Sequence, residues 1–182
     1  NLSKKKKLLF FINSYSDYLN DFVNKLSNSY EVKVFLTKKN TTFTNYNLPS
    51  KKYILINLKN FKKNIDQFSP QIILVGGFKH FLINKIIKYK NTHNVKLLLW
   101  LERLNKNFIF KRNIYSVLYR HIFDSSDGIL AIGKEAYKYY RKLNKNTFLL
   151  PYNIDFKTFK KNKCKKKDIN ILYVGQLIER KG

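Results

Sequence analysis

The sequence predicts a doubly wound α/β fold on a mostly parallel, Rossmann-like sheet, and three observations carry that expectation. Hydrophobic segments of strand length alternate along the chain with segments of helical period. The strand segments are continuously apolar: Ile72-Ile73-Leu74-Val75 and Leu97-Leu98-Leu99-Trp100-Leu101 do not alternate as a one-sided sheet would, so each is buried on both faces. Glycine stands where strand gives way to helix, at Gly76-Gly77 and at Gly133.

Leu8 to Asn13 is the first buried strand. Tyr15 to Leu26 follows as a helix, with Ser14 or Ser16 at its N-cap and Tyr18, Leu19, Phe22, Val23 and Leu26 along one face. Tyr30 to Leu36 is the second strand, and the Thr- and Asn-rich stretch from Lys38 to Lys51 is a loop. Tyr53 to Leu58 is the third strand. It leads to a helix from about Asn60 to Phe68, which Ser69-Pro70 stops because proline drives the preceding residue out of helical conformation. Gln71 to Val75 is a strand, and Gly76-Gly77 opens a helix from Phe78 to about Lys90. Val95 to Leu101 is a strand, Asn107 to Phe123 a long helix, and Gly128 to Ile132 a strand. The helix from Lys134 to Leu143 and the short strand from Thr147 to Leu150 complete about seven strands.

After that the composition collapses to lysine, asparagine and threonine, which is the signature of a linker. A fresh strand, Ile169 to Val174, then begins. The expected organisation is an N-terminal Rossmann-like domain over 1–154, an interdomain linker over 155–167, and over 168–182 the first strand and loop of a second Rossmann-like domain.

Composition narrows the partners. A net charge of +26 on 182 residues would ordinarily suggest nucleic acid, but arginine supplies only five of the 37 basic residues. Bidentate contacts to bases and phosphates call for arginine. The lysine excess, together with abundant Asn, Ile, Phe and Tyr, is what an AT-rich coding sequence leaves, so no specific nucleic-acid partner is expected. A single cysteine, Cys164, excludes a disulfide within the chain and suggests a reducing compartment. No apolar run reaches the roughly 18 residues of a membrane span, and the lysine-rich start is no signal peptide, so a cytoplasmic location is expected. The absence of any methionine reads as a fragment at both ends.

Three segments carry a resemblance. Asp127-Gly128-Ile129-Leu130-Ala131-Ile132-Gly133 resembles the Asp-x-Ile-Ile-Ala-x-Ser strand of family 4 retaining glycosyltransferases. Leu150-Pro151-Tyr152-Asn153-Ile154-Asp155, with Phe159 beyond it, is similar to their Ile-Pro-Asn-Gly-Val-Asp-x-x-x-Phe crossover between domains. Ile171 to Gly182 is similar to their Phe-Val-Gly-Arg-Leu-x-x-x-Lys-Gly opening of the nucleotide-sugar domain. The likeness is strong from Asp124 to Gly182 and only topological from Leu8 to Lys111.

The resemblance implies a GT-B architecture and the transfer of a sugar, with retention, from a nucleotide-diphospho-sugar to a glycan, lipid or other acceptor. No cofactor and no metal are implied. Gly175, Gln176, Arg180 and Lys181 would bind the donor diphosphate, where fixed cations and backbone N–H groups stabilise the leaving group. Gln176 stands where the family has arginine, and Arg180 could compensate in part. The acidic Glu-x7-Glu motif of the family would lie beyond Gly182, which leaves the catalytic residues unknown. Rival readings are a non-catalytic nucleotide-sugar-binding relative and a basic nucleic-acid-binding α/β domain.

Gly76, Gly77 and Glu102 are the acceptor-cleft candidates, because crevices form at the carboxyl ends of parallel strands. The glycine pair is equally readable as a plain tight turn. Glu102 is readable as a ligand for acceptor hydroxyls or as an ion-pair partner of Arg103 or a nearby lysine. The family's own glycine pair falls after the first strand, where this chain has Asn13-Ser14-Tyr15-Ser16. His80, His93 and His121 fit no metal-ligand spacing. The basic, aromatic-rich helices at Phe78 to Lys90 and Asn107 to Phe123 can lie on anionic lipid at the inner membrane surface, or simply cover the sheet with lysines outward.

Overall fold

The computed structural model describes residues 5–13, 17–37, 52–56, 59–77, 79–104, 114 and 117–152. Those residues form one α/β layer structure. The strands are β1 (Lys6–Ile12), β2 (Tyr30–Leu36), β3 (Tyr53–Leu55), β4 (Ile72–Gly76), β5 (Lys96–Leu101), β6 (Gly128–Ala131) and β7 (Thr147–Leu149). The helices are α1 (Asp17–Leu26), α2 (Phe61–Phe68), α3 (Ile83–Thr92), α4 (Arg120–Ser125) and α5 (Lys134–Tyr140). The sheet runs in the order β3-β2-β1-β4-β5-β6-β7, and every neighbouring pair is parallel. The expected doubly wound, Rossmann-like fold is therefore present, with all seven described strands parallel.

The strand order reverses between β1 and β4, and this decides which face each helix covers. Crossovers between parallel strands are right-handed, so those running outward from β1 toward β3 and those running from β4 toward β7 lie on opposite faces. Leu19 and Val23 of α1 accordingly pack with Leu8, Phe10, Val32, Val34, Leu74 and Trp100 on one face. The other face buries Leu9, Phe11, Phe35, Ile73, Val75, Leu97 and Leu99. It is covered by Phe61, Ile65 and Phe68 of α2, Ile83, Ile86 and Tyr89 of α3, Ile122 and Phe123 of α4, and Ala136 and Tyr140 of α5. Each fully buried Leu, Ile, Val or Phe contributes about 1.5–3 kcal/mol relative to exposure.

Helix boundaries show where local signals hold and where they fail. α2 stops at Phe68 because Ser69 takes a left-handed conformation, φ 50°, its amide donating to the Ile65 carbonyl, before Pro70. The helix expected from Phe78 starts instead at Ile83. Gly77 has φ 92°, and the Ile83 amide donates to the His80 carbonyl in a turn that precedes the helix. Of the long helix expected from Asn107 to Phe123, residues 114 and 117–123 are described, with the helix itself at Arg120–Ser125, and Ser14 and Ser16 lie outside the described residues. So do the expected linker over 155–167 and the strand expected from Ile169 to Val174.

Asp127, first in the motif matched above, serves the architecture. It lies at the amino ends of β5 and β6, away from the strand ends that form clefts. Its Oδ2 accepts the Leu97 amide at 2.8 Å and pairs with Lys90 Nζ at 3.2 Å, while Lys96 Nζ lies 3.5 Å from Oδ1. Burial alone would raise its pKa, but the Leu97 hydrogen bond and the Lys90 and Lys96 charges outweigh it and hold the carboxyl below its usual value. A depressed folded-state pKa gives stability that is present above the unfolded pKa, about 3.9, and lost as pH falls through the folded value. Asp127→Asn should cost about 1–2 kcal/mol at pH 7. Urea unfolding at pH 7 and pH 3 should show the gap between variant and native protein closing at the lower pH.

Candidate functional site

The carboxyl ends of β1, β4, β5 and β6 surround a cavity of about 420 Å³ at the point where the strand order reverses. Ligands of open α/β sheets bind in such a crevice. Its walls are Ile12 and Asn13 after β1, Leu19 of α1, and Gly76, Gly77 and Lys79 after β4. The chain from Trp100 to Leu104 follows β5 into it, Ile132 enters after β6, Tyr140 comes from α5, and Tyr152 comes from beyond β7.

The two glycines make the floor of this cavity for different reasons. A Cβ on Gly76 would approach Ile12 Cγ2 at 3.1 Å, so the strand end has room only for glycine unless Ile12 shifts. Gly77 has open space around it, but its φ of 92° lies in the region L side chains avoid. Its amide donates to the Trp100 carbonyl at 3.0 Å, which ties the end of β4 to the end of β5. The pair is a tight turn and also a cavity wall.

Trp100 forms the aromatic side. Its ring stacks on Phe22 of α1, with centroids 4.8 Å apart and planes at 19°. Phe10 tilts against it at 5.6 Å and Tyr152 meets it edge-on at 5.3 Å. The side chain is 6% exposed, and the indole N–H has no hydrogen-bond partner among the described residues. A buried donor left unpaired costs about 1–3 kcal/mol.

Glu102, the first residue after β5, contributes two groups. Its backbone carbonyl accepts the Tyr140 hydroxyl at 3.1 Å. Tyr140 is fully buried; burial first, then Tyr139 and the Glu102 charge, raises its pKa, which keeps the phenol a neutral donor. The Glu102 carboxylate accepts the Tyr152 hydroxyl. The phenol and the carboxylate meet across 50 residues of sequence.

His80, 2% exposed, lies in the turn before α3 with its ring against Phe11 and Phe81. The Leu82 amide donates to its Nδ1 at 3.2 Å, so the neutral ring carries its proton on Nε2, which has no partner among the described residues. Burial pulls its pKa down to about 4. His93 stacks on Tyr89, and His121 Nε2 lies 3.2 Å from Asn84 Oδ1. Among the described residues no three His, Cys, Asp or Glu side chains gather as metal ligands.

Of the residues singled out from sequence, the structure brings Gly76, Gly77 and Glu102 together at one cavity. Gly175, Gln176, Arg180 and Lys181 lie outside the described residues. Sequence reasoning missed Trp100 and Tyr152 as cavity walls. One signal pointed to Tyr152: it is an aromatic where the crossover pattern quoted above has asparagine. No protein-family model matches this chain, and no curated protein matches it in sequence.

Proposed function

We propose that this chain is the acceptor-side portion of a retaining glycosyltransferase, with the cavity at the strand reversal receiving the acceptor. The observation that carries the reading is the ordered set of matches at Asp127 to Gly133, Leu150 to Asp155 and Ile171 to Gly182. Support comes from the parallel sheet that precedes the crossover and from the cavity at its carboxyl edge, lined by Gly76, Gly77 and Glu102. In this reading 155–167 is the link to a donor domain. Its first loop offers Gly175 and Gln176 as hydrogen-bonding groups and Arg180 and Lys181 as cations toward the diphosphate.

The chemistry asks for such groups. Breaking the bond between sugar and diphosphate leaves negative charge on the departing oxygens, and cations held in a water-poor cleft stabilise it more in the transition state than in the ground state. In a protein that joins this chain to a complete donor domain, Lys181→Ala should lower turnover by roughly tenfold to a hundredfold, the value of a charge-assisted contact of about 1.5–3 kcal/mol. The measurement is initial-rate transfer from a panel of nucleotide-diphospho-sugars, with the product anomer read by NMR. Normal turnover in the variant would remove Lys181 from the mechanism. Nucleotide-sugar binding with no transfer by the native protein would replace the enzyme reading with that of a non-catalytic relative.

A peripheral contact with anionic membrane, and hence a lipid-linked acceptor, is the second reading. It is favoured by exposed apolar side chains at the starts of two neighbouring helices. Phe81 is 55% exposed just before α3, and Val117 and Leu118 are 75% and 60% exposed just before α4. The His121 to Asn84 contact holds these helix starts side by side, and exposed Lys85 and Lys88 follow on α3. Among the described residues no helix is long and apolar enough to cross a membrane.

A further inference from the structure

We propose that the Glu102 carboxylate is a hydroxyl-binding group of the cavity whose place is held by the Tyr152 phenol, and that a polyol entering the cavity displaces that phenol. The inference rests on the glycosyl-transfer reading only for the class of ligand, a sugar or sugar-like polyol.

The position of Tyr152 is the first argument. The Leu150 amide donates to the Ala131 carbonyl at 2.9 Å, which extends the β7 ladder by one residue. Pro151 has no N–H to carry the ladder further. Tyr152 then turns back to the cavity, with its ring edge against Trp100 and its hydroxyl on the Glu102 carboxylate. A residue three positions beyond β7 thus reaches into the candidate site.

The chemistry of the contact is the second. A phenol and a sugar alcohol are the same kind of donor to a carboxylate, so the site that accepts one is suited to the other. Around Glu102 the wall also presents the cationic side chains of Lys79 and Arg103 and the aromatic ring of Trp100. Sugar hydroxyls both donate and accept, and this wall offers acceptor and donors together beside an apolar face. Glu102 is itself exposed, so the exchange of one hydroxyl for another needs no unfolding of the sheet.

The third argument is linkage. If ligand and Tyr152 compete for Glu102, each weakens the other's hold by the same factor. Occupancy of the cavity is then read out as the loss of the Tyr152 contact to Trp100.

Trp100 is the only tryptophan in the 182 residues, so its fluorescence reports this site alone. The test is a titration of the 182-residue chain with methyl α-glucoside, following Trp100 emission and acrylamide quenching, with cyclohexanol as a one-hydroxyl control. The expected result is a saturable change with the glucoside and increased quenching as Tyr152 leaves the indole. Tyr152→Phe keeps the ring but removes the competing hydroxyl, so it should bind the glucoside severalfold more tightly. Glu102→Gln should bind it about tenfold more weakly, the value of a hydrogen bond to a charged group. Tyr152→Ala should show high quenching before any ligand is added.

An emission insensitive to the glucoside, equal affinity in native and Tyr152→Phe proteins, or an equal response to cyclohexanol would each overturn the proposal. Circular dichroism of each variant separates loss of binding from loss of fold. Transfer is not read in this titration. Glucoside binding without transfer in the extended protein would leave the displacement standing and sink the enzyme reading, whereas transfer with a silent Trp100 would do the reverse.

Discussion

Phe11→Ala is expected to destabilise the domain by about 3–5 kcal/mol, the range for emptying a large aromatic from a packed core. Phe11 is fully buried on β1, the strand beside the reversal point, with its backbone paired to Phe35 on one side and Val75 on the other. Its ring meets Phe35 edge-on at 5.3 Å, Phe61 of α2 at 5.8 Å and His80 at 6.1 Å. It therefore joins two strands, a crossover helix and the turn that holds His80. Removing it leaves a void that the parallel sheet cannot close, because both neighbouring strands are held in register. Against a typical total of 5–15 kcal/mol, such a loss brings the domain near its unfolding threshold. Urea denaturation should show a much lower midpoint with an unchanged slope. A shift equivalent to less than 1 kcal/mol would mean that the ring is not part of the core.

Acidification from pH 7 to pH 4 should remove up to about 3 kcal/mol of stability through His80 alone. The ring is buried beside Phe11 and Phe81, and that burial lowers its folded-state pKa to about 4. In the unfolded chain the same ring takes a proton near pH 6.5. Between those values the unfolded state binds more protons than the native state, so stability falls as pH drops through the window and levels off below it. This loss precedes the one due to Asp127, which begins only near pH 4. His80→Phe should flatten stability between pH 6.5 and 4 while leaving the lower transition in place. Urea midpoints at half-unit pH intervals would show both; a variant that loses stability across the upper window as steeply as the native protein would rule His80 out as the cause.

The two kinds of signal in this chain differ in how far they reach. Continuous apolar runs such as Ile72 to Val75 and Leu97 to Leu101 were legible as strands buried on both faces, because a residue that must avoid water on either side of a sheet has few alternatives to an apolar side chain. Ser69-Pro70 was legible as a stop because proline's ring acts on its immediate neighbour. The start of α3 was not legible. The helix was expected from Phe78, yet Lys79 to Leu82 lie outside it, His80 is buried there after Gly77 at positive φ, and the helix begins at Ile83. Tertiary burial overrode local propensity there.

The amino-acid sequence by itself determined the α/β class, the seven strand segments, the glycines at the end of β4 and the candidacy of Gly76, Gly77 and Glu102, since each rests on composition or spacing within a few residues. Only the tertiary structure decided the reversal between β1 and β4, the cavity there, and the meeting of Tyr152 with Glu102 and Trp100. The physical reason is separation along the chain. Strand order follows from the right-handed crossovers and from which faces can be buried together, and contacts across 50 residues follow from strand order, so no local pattern of residues encodes them directly.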